Sequence, residues 1–505
     1  MGPPFDATPL LRAVTSRRIA RIRHLDPAAT QRALLLDLLR RAAATRFGQA
    51  HGFGSIDTVE AFQAQVPLRR YEALWEGWWR DGYPVLRDVT WPGLVPYFAL
   101  TSGTTSGRTK FVPVTREMVR ANRGAALDVL GWHLENHPRS RIFGGLSFML
   151  GGSTALEEIA PGVRQGDLSG IAAAEVPRLL SAWSWPTRDL ALIADWDRKL
   201  EVLAEEAPVH RIRVLSGTPS WLLVLLERLA ARHGGHGSPL PALELLVHGG
   251  VAWPPYRDRI LPCLPPGCAT REVYPASEGF CAIADRGDGE GLRLTLDRGV
   301  FWEFVPVEAL DSPAPPRHWA ATIETGLDYA VVATTCAGLW ACVLGDTVRF
   351  LDRDPPRLLV TGRTSYTLSA FGEHLTGEEI ERALLAALEE LGITLAEYMV
   401  GPVFGAVRGH HRWLVEPAAP ADPALASRLA AAVDARLITA NDDYDIHRRG
   451  GQLDPPEMVL LPPGTFAAWM RTEGKLGGQH KVPRVLAEPG RFARAETALR
   501  THAGS

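Results

Sequence analysis

The chain has 505 residues, of which 46% are hydrophobic and 22% charged, and its formal net charge is −3. This balance is typical of a globular protein of two or three domains, and it gives no electrostatic basis for binding nucleic acid. The sequence has no apolar run long enough to cross a membrane, no secretion-signal pattern at its N-terminus and no CxxC pair among its five cysteines. We therefore expect a cytoplasmic protein that binds neither a membrane nor nucleic acid.

The first part of the chain is predicted to be helical. Leucine and alanine recur at helical spacing over residues 8–50, with arginines between them. A second amphipathic segment, at 58–80, contains Trp75, Trp78 and Trp79, and this spacing is more typical of a core than of a cofactor site.

From about residue 90, short apolar runs end in glycine or proline and alternate with helical stretches. This alternation predicts an α/β sheet. The proline-containing stretch at 349–363 is the best candidate linker, and a helix is predicted near 377–391.

The segment TSGTTSGRTK follows one of the apolar runs and is rich in hydroxyl groups. Hydroxyls and backbone N–H groups on a glycine-hinged turn form a good anion cradle, and a lysine at its end adds a positive charge. The spacing fits neither a Walker loop nor a Rossmann fingerprint. The alternative is an ordinary polar loop. The candidate phosphate ligands are Ser102, Gly103, Thr104, Thr105, Ser106 and Lys110.

Lysine is rare in this sequence, which gives Lys110 more weight. Only four of the 54 basic residues are lysine, and the others are Lys199, Lys475 and Lys481. Coding bias explains most of this skew, so each lysine is either a chance survivor or a position that requires a compact ammonium group.

Two later segments carry side chains that suit a nucleotide. VYPASEGF offers the ring of Tyr274, the hydroxyl of Ser277 and the carboxylate of Glu278, and LGDTVRF offers Asp346. These groups can stack on a base, bind a phosphate, hold a metal ion and accept two ribose hydroxyls. Each segment taken alone also fits an ordinary strand-to-turn sequence.

Together, TSGTTSGRTK, YPASEG and LGD resemble, in order and spacing, the three nucleotide motifs of the acyl acid amido synthetases of the Gretchen Hagen three family. These enzymes are related to the acyl-adenylate-forming ligases. Further segments agree with the family, among them QVPLRRYEALWEGWWRDG, HGGVAWPPYRDRI and QHKVPR. The resemblance covers roughly residues 30–485 and is closer to the bacterial members than to the plant enzymes.

The resemblance implies an α/β fold with a large N-terminal adenylate-forming-enzyme-like domain, at 1–362, and a smaller mobile α+β domain at 363–505. It also implies chemistry in two steps that uses ATP and Mg²⁺. A carboxylic acid first attacks ATP to give acyl-AMP and pyrophosphate, and an amine, usually an amino acid, then displaces AMP to form an amide.

The resemblance also assigns roles within the site. Tyr274 and Ser277 are expected around the adenosine and α-phosphate, and Arg363 in the same nucleotide site. Asp346 is expected on the ribose hydroxyls and Glu278 on Mg²⁺. Lys481, in QHKVPR, is expected to reach the α-phosphate and the acyl carboxylate, with Lys475 as the second choice. An acyl pocket is predicted between 118–132 and 220–226, unless these segments are simply core.

The sequence departs from the family in two places. Trp340-Ala341-Cys342-Val343 replaces an arginine-rich stretch, and His374 replaces a lysine of the plant enzymes. An acyl-CoA or carrier-protein ligase and a non-catalytic nucleotide-binding relative therefore remain as alternatives. An α/β-hydrolase is disfavoured because no GxSxG follows the His-Gly-Gly at 248–250.

Overall fold

A computed structural model shows, in the part of the chain that it describes, three β-sheets with helices packed against them. The structure describes residues 3, 5–102, 109–151, 156–176, 180–191, 193, 196–232, 237–251, 253–287, 289–364, 368, 370–371, 373, 375–405, 409–449, 453–473 and 482–503.

The helices are α1 Thr8–Arg23, α2 Pro27–Ala42, α3 Arg46–Ala50, α4 Val59–Gln65, α5 Tyr71–Leu74, α6 Arg116–Asn136, α7 Leu168–Ala174, α8 Arg188–Ala191, α9 Trp196–Glu206, α10 Pro219–Arg232, α11 Pro254–Ile260, α12 Gly377–Glu390, α13 Leu425–Ala440, α14 Asp442–Arg449, α15 Thr465–Thr472 and α16 Pro489–Ala503. The strands are β1 Tyr97–Ser102, β2 Thr109–Val114, β3 Leu146–Leu150, β4 Glu157–Ala160, β5 Val163–Gly166, β6 Ser184–Trp185, β7 Ile212–Gly217, β8 Leu245–Gly249, β9 Ala269–Ala276, β10 Gly279–Ile283, β11 Leu292–Leu294, β12 Val300–Pro306, β13 His318–Trp319, β14 Asp328–Thr335, β15 Cys342–Arg353, β16 Pro356–Arg363, β17 Leu395–Phe404, β18 Gly409–Pro417 and β19 Glu457–Leu460.

The helical prediction for residues 8–50 is confirmed, as three helices. The prediction for 58–80 is only partly right, because α4 ends before Pro67 and is followed by the short α5 and a π-helical turn over Trp75–Trp79. Proline removes a backbone donor and cannot continue a helix. Trp79 is fully buried and its indole donates to the hydroxyl of Thr90 at 3.0 Å, so it serves the core as expected.

The largest sheet has twelve strands, in the order β13-β12-β14-β15-β16-β11-β10-β9-β8-β7-β3-β6. Its β9-β8-β7-β3-β6 end is parallel and the rest is antiparallel, which confirms the α/β prediction. Helices α9, α10 and α11 pack on the parallel end, while α2, α4 and the four-stranded sheet β2-β1-β5-β4 pack on the antiparallel part.

The linker predicted at 349–363 is wrong, because this stretch forms most of the β15–β16 hairpin. Phe350 and Leu358 are buried in the main core. The two prolines mislead because Pro355 lies in the turn and Pro356 begins β16, and neither place requires a backbone N–H for the sheet.

The C-terminal part has its own sheet, β17-β18-β19, and two hydrophobic clusters whose buried members all follow residue 367. The helix predicted near 377–391 is confirmed as α12, and it begins with a capping box formed by Thr376 and Glu379. The domain boundary between 362 and 363 stays a prediction. Within the described ranges, no helix is both long and apolar enough to span a membrane.

Candidate active site

Asp346 and Tyr274, which were predicted in separate motifs, are hydrogen-bonded to each other. The Tyr274 hydroxyl, on β9, donates to Oδ2 of Asp346, on β15, at 2.6 Å. Tyr274 is only 6% exposed, and burial and the nearby Asp346 carboxylate raise its pKa well above the ordinary value for tyrosine. The phenol therefore stays protonated at neutral pH and acts as a fixed donor to Asp346.

Asp346 also lies directly opposite Arg363 in the antiparallel β15–β16 pair. The preceding residue, Gly345, has φ +89°, a conformation that favours glycine, and its carbonyl accepts from the backbone N–H of Thr364 at 2.8 Å. The glycine-aspartate pair is thus held within a strand rather than on a surface turn. The side chain of Arg363 lies outside the described part of the chain.

Ser277 and Glu278 form the two-residue turn between β9 and β10. Ala276 and Gly279 are paired on either side of this turn. Gly279 has φ +158°, and a Cβ atom there would come within 2.6 Å of Val300, so only glycine fits. The hairpin tip therefore has a fixed backbone that presents both predicted side chains.

Lys110 lies opposite Thr101 in the β1–β2 pair and is held there by two residues of α5. Its ammonium is 3.4 Å from Oε1 of Glu72 and 5.0 Å from the ring centre of Tyr71. The Tyr71 hydroxyl accepts from the backbone N–H of Phe111 at 2.8 Å. Gly103, Thr104, Thr105, Ser106 and the side chain of Ser102 lie outside the described residues.

Cys342 marks the place where these segments meet. The thiol is 2% exposed, and burial raises its pKa. The Glu278 carboxylate raises this pKa further, while the Lys110 ammonium lowers it. Both charges therefore act on the same thiol.

The departure at 340–343 belongs to the core. Trp340 is fully buried, donates its indole N–H to the carbonyl of Thr90 at 2.9 Å and packs edge-on against Phe53. The backbone of Arg69 pairs with this stretch, since its N–H donates to Ala341 and its carbonyl accepts from Val343. Arg69 therefore lies beside the stretch at 340–343. The sequence motifs did not identify this arginine.

The C-terminal motif segment QHKVPR is described only from Val482 onward. Its last residue, Arg484, donates to the hydroxyl of Tyr256, on α11, at 3.0 Å, and also to carboxylate oxygens of Glu381 and Glu397 at 2.5 and 2.9 Å. This segment is therefore anchored to the large sheet's helices. Lys475, Lys481 and His374 lie outside the described residues.

The segment at 220–226, predicted as a wall of the acyl pocket, falls within α10. Leu222, Leu225 and Leu226 are fully buried in the core between α10 and the parallel strands. These three leucines therefore belong to the core, which was the alternative to an acyl pocket.

Three family models match separate parts of the chain. The N-terminal domain of the GH3 family matches residues 21–155, its central domain 293–363 and its C-terminal domain 378–490, so together they cover more than half of the sequence. The chain belongs to the GH3 family. The resemblance drawn from the nucleotide motifs is confirmed.

Curated relatives agree with this family. A probable indole-3-acetic acid-amido synthetase GH3.9 of Oryza sativa subsp. japonica is 28% identical over 237 residues, which are 43% of this chain and 53% of the relative. Indole-3-acetic acid-amido synthetase GH3.8 of Oryza sativa subsp. indica is 28% identical over 266 residues, 49% of this chain and 44% of the relative. The chain spans about half the length of the curated relatives that it matches.

Solved structures share the fold over nearly the whole chain. The GH3.15 acyl acid amido synthetase has a TM-score of 0.79 and 16% identity, and the match covers 97% of this chain and 96% of that one. A 2-hydroxyisobutyryl-CoA ligase in the postadenylation state has a TM-score of 0.61 and 15% identity, with 93% and 91% covered. The adenylate-forming-enzyme fold with a C-terminal domain is confirmed.

Lys199, on α9, is a buried lysine that sequence reasoning counted but did not place. It is 2% exposed, and its ammonium donates to the carbonyls of Gly151 at 3.2 Å and Ala191 at 3.0 Å. Burial lowers the pKa of Lys199 to about 8, and the Asp167 carboxylate opposes this shift. The rarity of lysine in the sequence was the signal that could have marked it.

We predict that Lys199 makes the folded chain more stable as the pH rises from neutral into the alkaline range. The pKa in the folded chain is about 8, below the ordinary value of 10.5, so the unfolded chain binds more protons between these values and stability rises with pH. Relative to Lys199→Met, the parent should gain about 2 kcal/mol in unfolding free energy between pH 7 and pH 10. Urea unfolding followed by circular dichroism measures this difference.

The exposed neighbour Arg198 provides the control for this experiment. Arg198→Met should shift stability equally at both pH values, because arginine stays charged throughout this range. If the unfolding free energies of the parent and of Lys199→Met change by the same amount between the two pH values, the lowered pKa assigned to Lys199 is wrong.

Proposed function

We propose that this GH3 family chain uses ATP to adenylate a carboxylic acid and then transfers the acyl group to an amine of the amino-acid class, forming an amide. The observation that carries the proposal is the meeting of the motif segments at β15. Asp346 is bonded to Tyr274 and paired with Arg363, while Glu278 and Lys110 act on Cys342 at the start of the same strand. The names of the rice relatives support an amide product.

The first step needs positioning and charge neutralisation more than proton transfer. A carboxylic acid with a pKa near 4 is already ionised at neutral pH, so it needs no general base. Its oxygen forms a bond to the α-phosphorus while the bond from phosphorus to the pyrophosphate oxygen breaks. The loop from Ser102 to Ser106, followed by Lys110, would hold the phosphates and offset their negative charge.

Glu278 is suited to be the single carboxylate ligand that the protein provides to Mg²⁺. Mg²⁺ is commonly bound through one or two carboxylates together with substrate phosphates and water. A half-buried carboxylate on a hairpin turn fits this donor set, and the Lys110 ammonium would add positive charge for the same phosphates. When bound, the ion would neutralise charge on the phosphates.

We expect pyrophosphate release from ATP that depends on both Mg²⁺ and a carboxylic acid. A library of apolar and aromatic acids, including indole-3-acetic acid, should be screened by a coupled pyrophosphate assay. Amino acids and coenzyme A are then offered separately to the acid that responds best, and the product is identified by mass spectrometry. An amide supports the proposal, a thioester indicates the acyl-CoA ligase alternative, and ADP with orthophosphate would overturn adenylation.

We expect Asp346→Ala to weaken ATP binding at least tenfold while leaving the affinity for the acid unchanged. A carboxylate that accepts ribose hydroxyls makes charged hydrogen bonds, each worth on the order of 1.5–3 kcal/mol. Calorimetric titration with a non-hydrolysable ATP analogue measures the effect. Asp352→Ala, an exposed change on the same strand, is the matched control. Equal affinity in the Asp346 and Asp352 variants would show that Asp346 is only structural.

We expect Lys481→Ala and Lys481→Arg to bind ATP normally but to form acyl-AMP about 10²–10³ times more slowly. A lysine that reaches the α-phosphate only during the reaction stabilises the transition state, and the larger planar guanidinium cannot replace it. Single-turnover formation of acyl-AMP measures the rate, with Lys475→Ala as the control. A parental rate in the Lys481 variants and a slow Lys475 variant would transfer the role to Lys475.

A further inference from the structure

A second charged cavity lies at the other end of β16 from the proposed nucleotide site. It has a volume of about 220 Å³, and its wall includes Arg23, Arg286, Arg293, Arg357 and the carboxylate of Asp285. Arg357 and Arg363 are six residues apart on β16, or roughly 20 Å along an extended strand. We infer that this cavity binds a small multivalent oxyanion of the phosphate class.

The wall of the cavity has an excess of positive charge. Arg357 binds both oxygens of Asp285, at 2.5 and 2.7 Å, and so neutralises the buried carboxylate. Arg293 is farther from Asp285, at 3.7 Å. Arg286 has no carboxylate within ion-pair distance among the described residues. At least two guanidinium groups therefore remain for a ligand.

The other nearby acids lie outside the wall. Glu135 is 3.0 Å from Arg23, but both side chains are more than a third exposed, so solvent screens this pair. Asp354 also acts on Arg293 and is exposed. Neither carboxylate lines the cavity, so neither occupies the place of an anion.

Two of the arginines are buried, and each has one N–H group without a hydrogen-bond acceptor. The Nε atoms of Arg293 and Arg357 have no acceptor in the described structure, although the two side chains are only 9% and 3% exposed. Burial lowers the pKa of Arg293, and the nearby Arg357 charge adds to this shift while the Asp285 carboxylate opposes it. A buried donor without an acceptor is unfavourable, so these two guanidinium groups are incompletely satisfied by the protein itself.

Trp132 fixes the orientation of two guanidinium groups. Arg23 and Arg293 lie 5.4 and 5.6 Å from the centre of its ring. Stacking of this kind holds the planar guanidinium groups in place, and Arg293 is held further because it donates to the carbonyl of Ile22 at 2.9 Å. The cavity is thus organised before any ligand binds.

The size of the cavity limits the ligand. A drug-sized ligand needs about 300–1,000 Å³, so the volume of about 220 Å³ matches orthophosphate or pyrophosphate better than a whole nucleotide. Both have the tetrahedral oxygens that arginine recognises in bidentate fashion. Pyrophosphate would be a product of the proposed reaction and orthophosphate a general solute, but the site itself does not depend on that reaction.

The test is calorimetric titration of each anion into the full chain, without Mg²⁺ and with a saturating non-hydrolysable ATP analogue to occupy the phosphate loop. The variant is Arg23→Gln with Arg286→Gln, because both side chains are exposed and their loss leaves the core intact. Arg17→Gln, an exposed arginine on the same helix, is the control. Circular dichroism checks that all three proteins are folded.

We expect one anion per chain to bind the parent and the Arg17 variant, and the double variant to bind at least ~10 times more weakly. Tighter binding of pyrophosphate would identify the product as the ligand, and equal binding would identify a general phosphate site. Absence of binding to the parent, or unchanged binding to the double variant, would overturn the inference. If the ATP analogue does not bind, the proposed function fails, while the comparison between parent and variant still tests the cavity.

Discussion

The hydrogen bond between Tyr274 and Asp346 spans a gap in the large sheet, and the candidate site depends on it. Strands β9 and β10 form one hairpin, and β15 and β16 form another. Among the described strands, β11 alone pairs with both hairpins, and it does so at the end that contains Arg357. At the opposite end, the buried phenol joins the two hairpins, so the geometry of one determines where the other places its carboxylate.

The sequence predicted the components of the site better than their connections. The motifs named Tyr274, Glu278, Asp346 and Lys110 because residue type and local spacing are visible in a single sequence. The bond between Tyr274 and Asp346 was not visible, because the partners are 72 positions apart and belong to non-adjacent strands. Lys199 was similarly hidden, since nothing local reveals that its ammonium binds backbone carbonyls.

The fold, like the site, was predicted correctly where the signal is local and wrongly where it depends on distant contacts. The alternation of apolar runs with helical stretches identified the α/β class, because burial of alternate faces imposes that pattern. The hairpin at 349–363 was mistaken for a linker, since proline signals a break in structure without revealing whether the break is a two-residue turn or an open connection. In the stretch at 340–343, Trp340 packs against the rings of Phe47 and Phe53, and a motif comparison could not reveal this core role because these partners are distant in the chain.

Arg484 has a consequence for the energetics of domain rotation, which the family resemblance implies. Its two carboxylate partners, Glu381 and Glu397, belong to the same C-terminal part and would move with it, whereas Tyr256 belongs to α11 and would stay behind. A rotation would thus break one hydrogen bond from a charged donor, on the order of 1.5–3 kcal/mol, and leave the guanidinium neutralised throughout. Together with the ion pair between Arg349 on β15 and Glu378 on α12, at 3.1 Å, this contact favours the orientation seen in the structure.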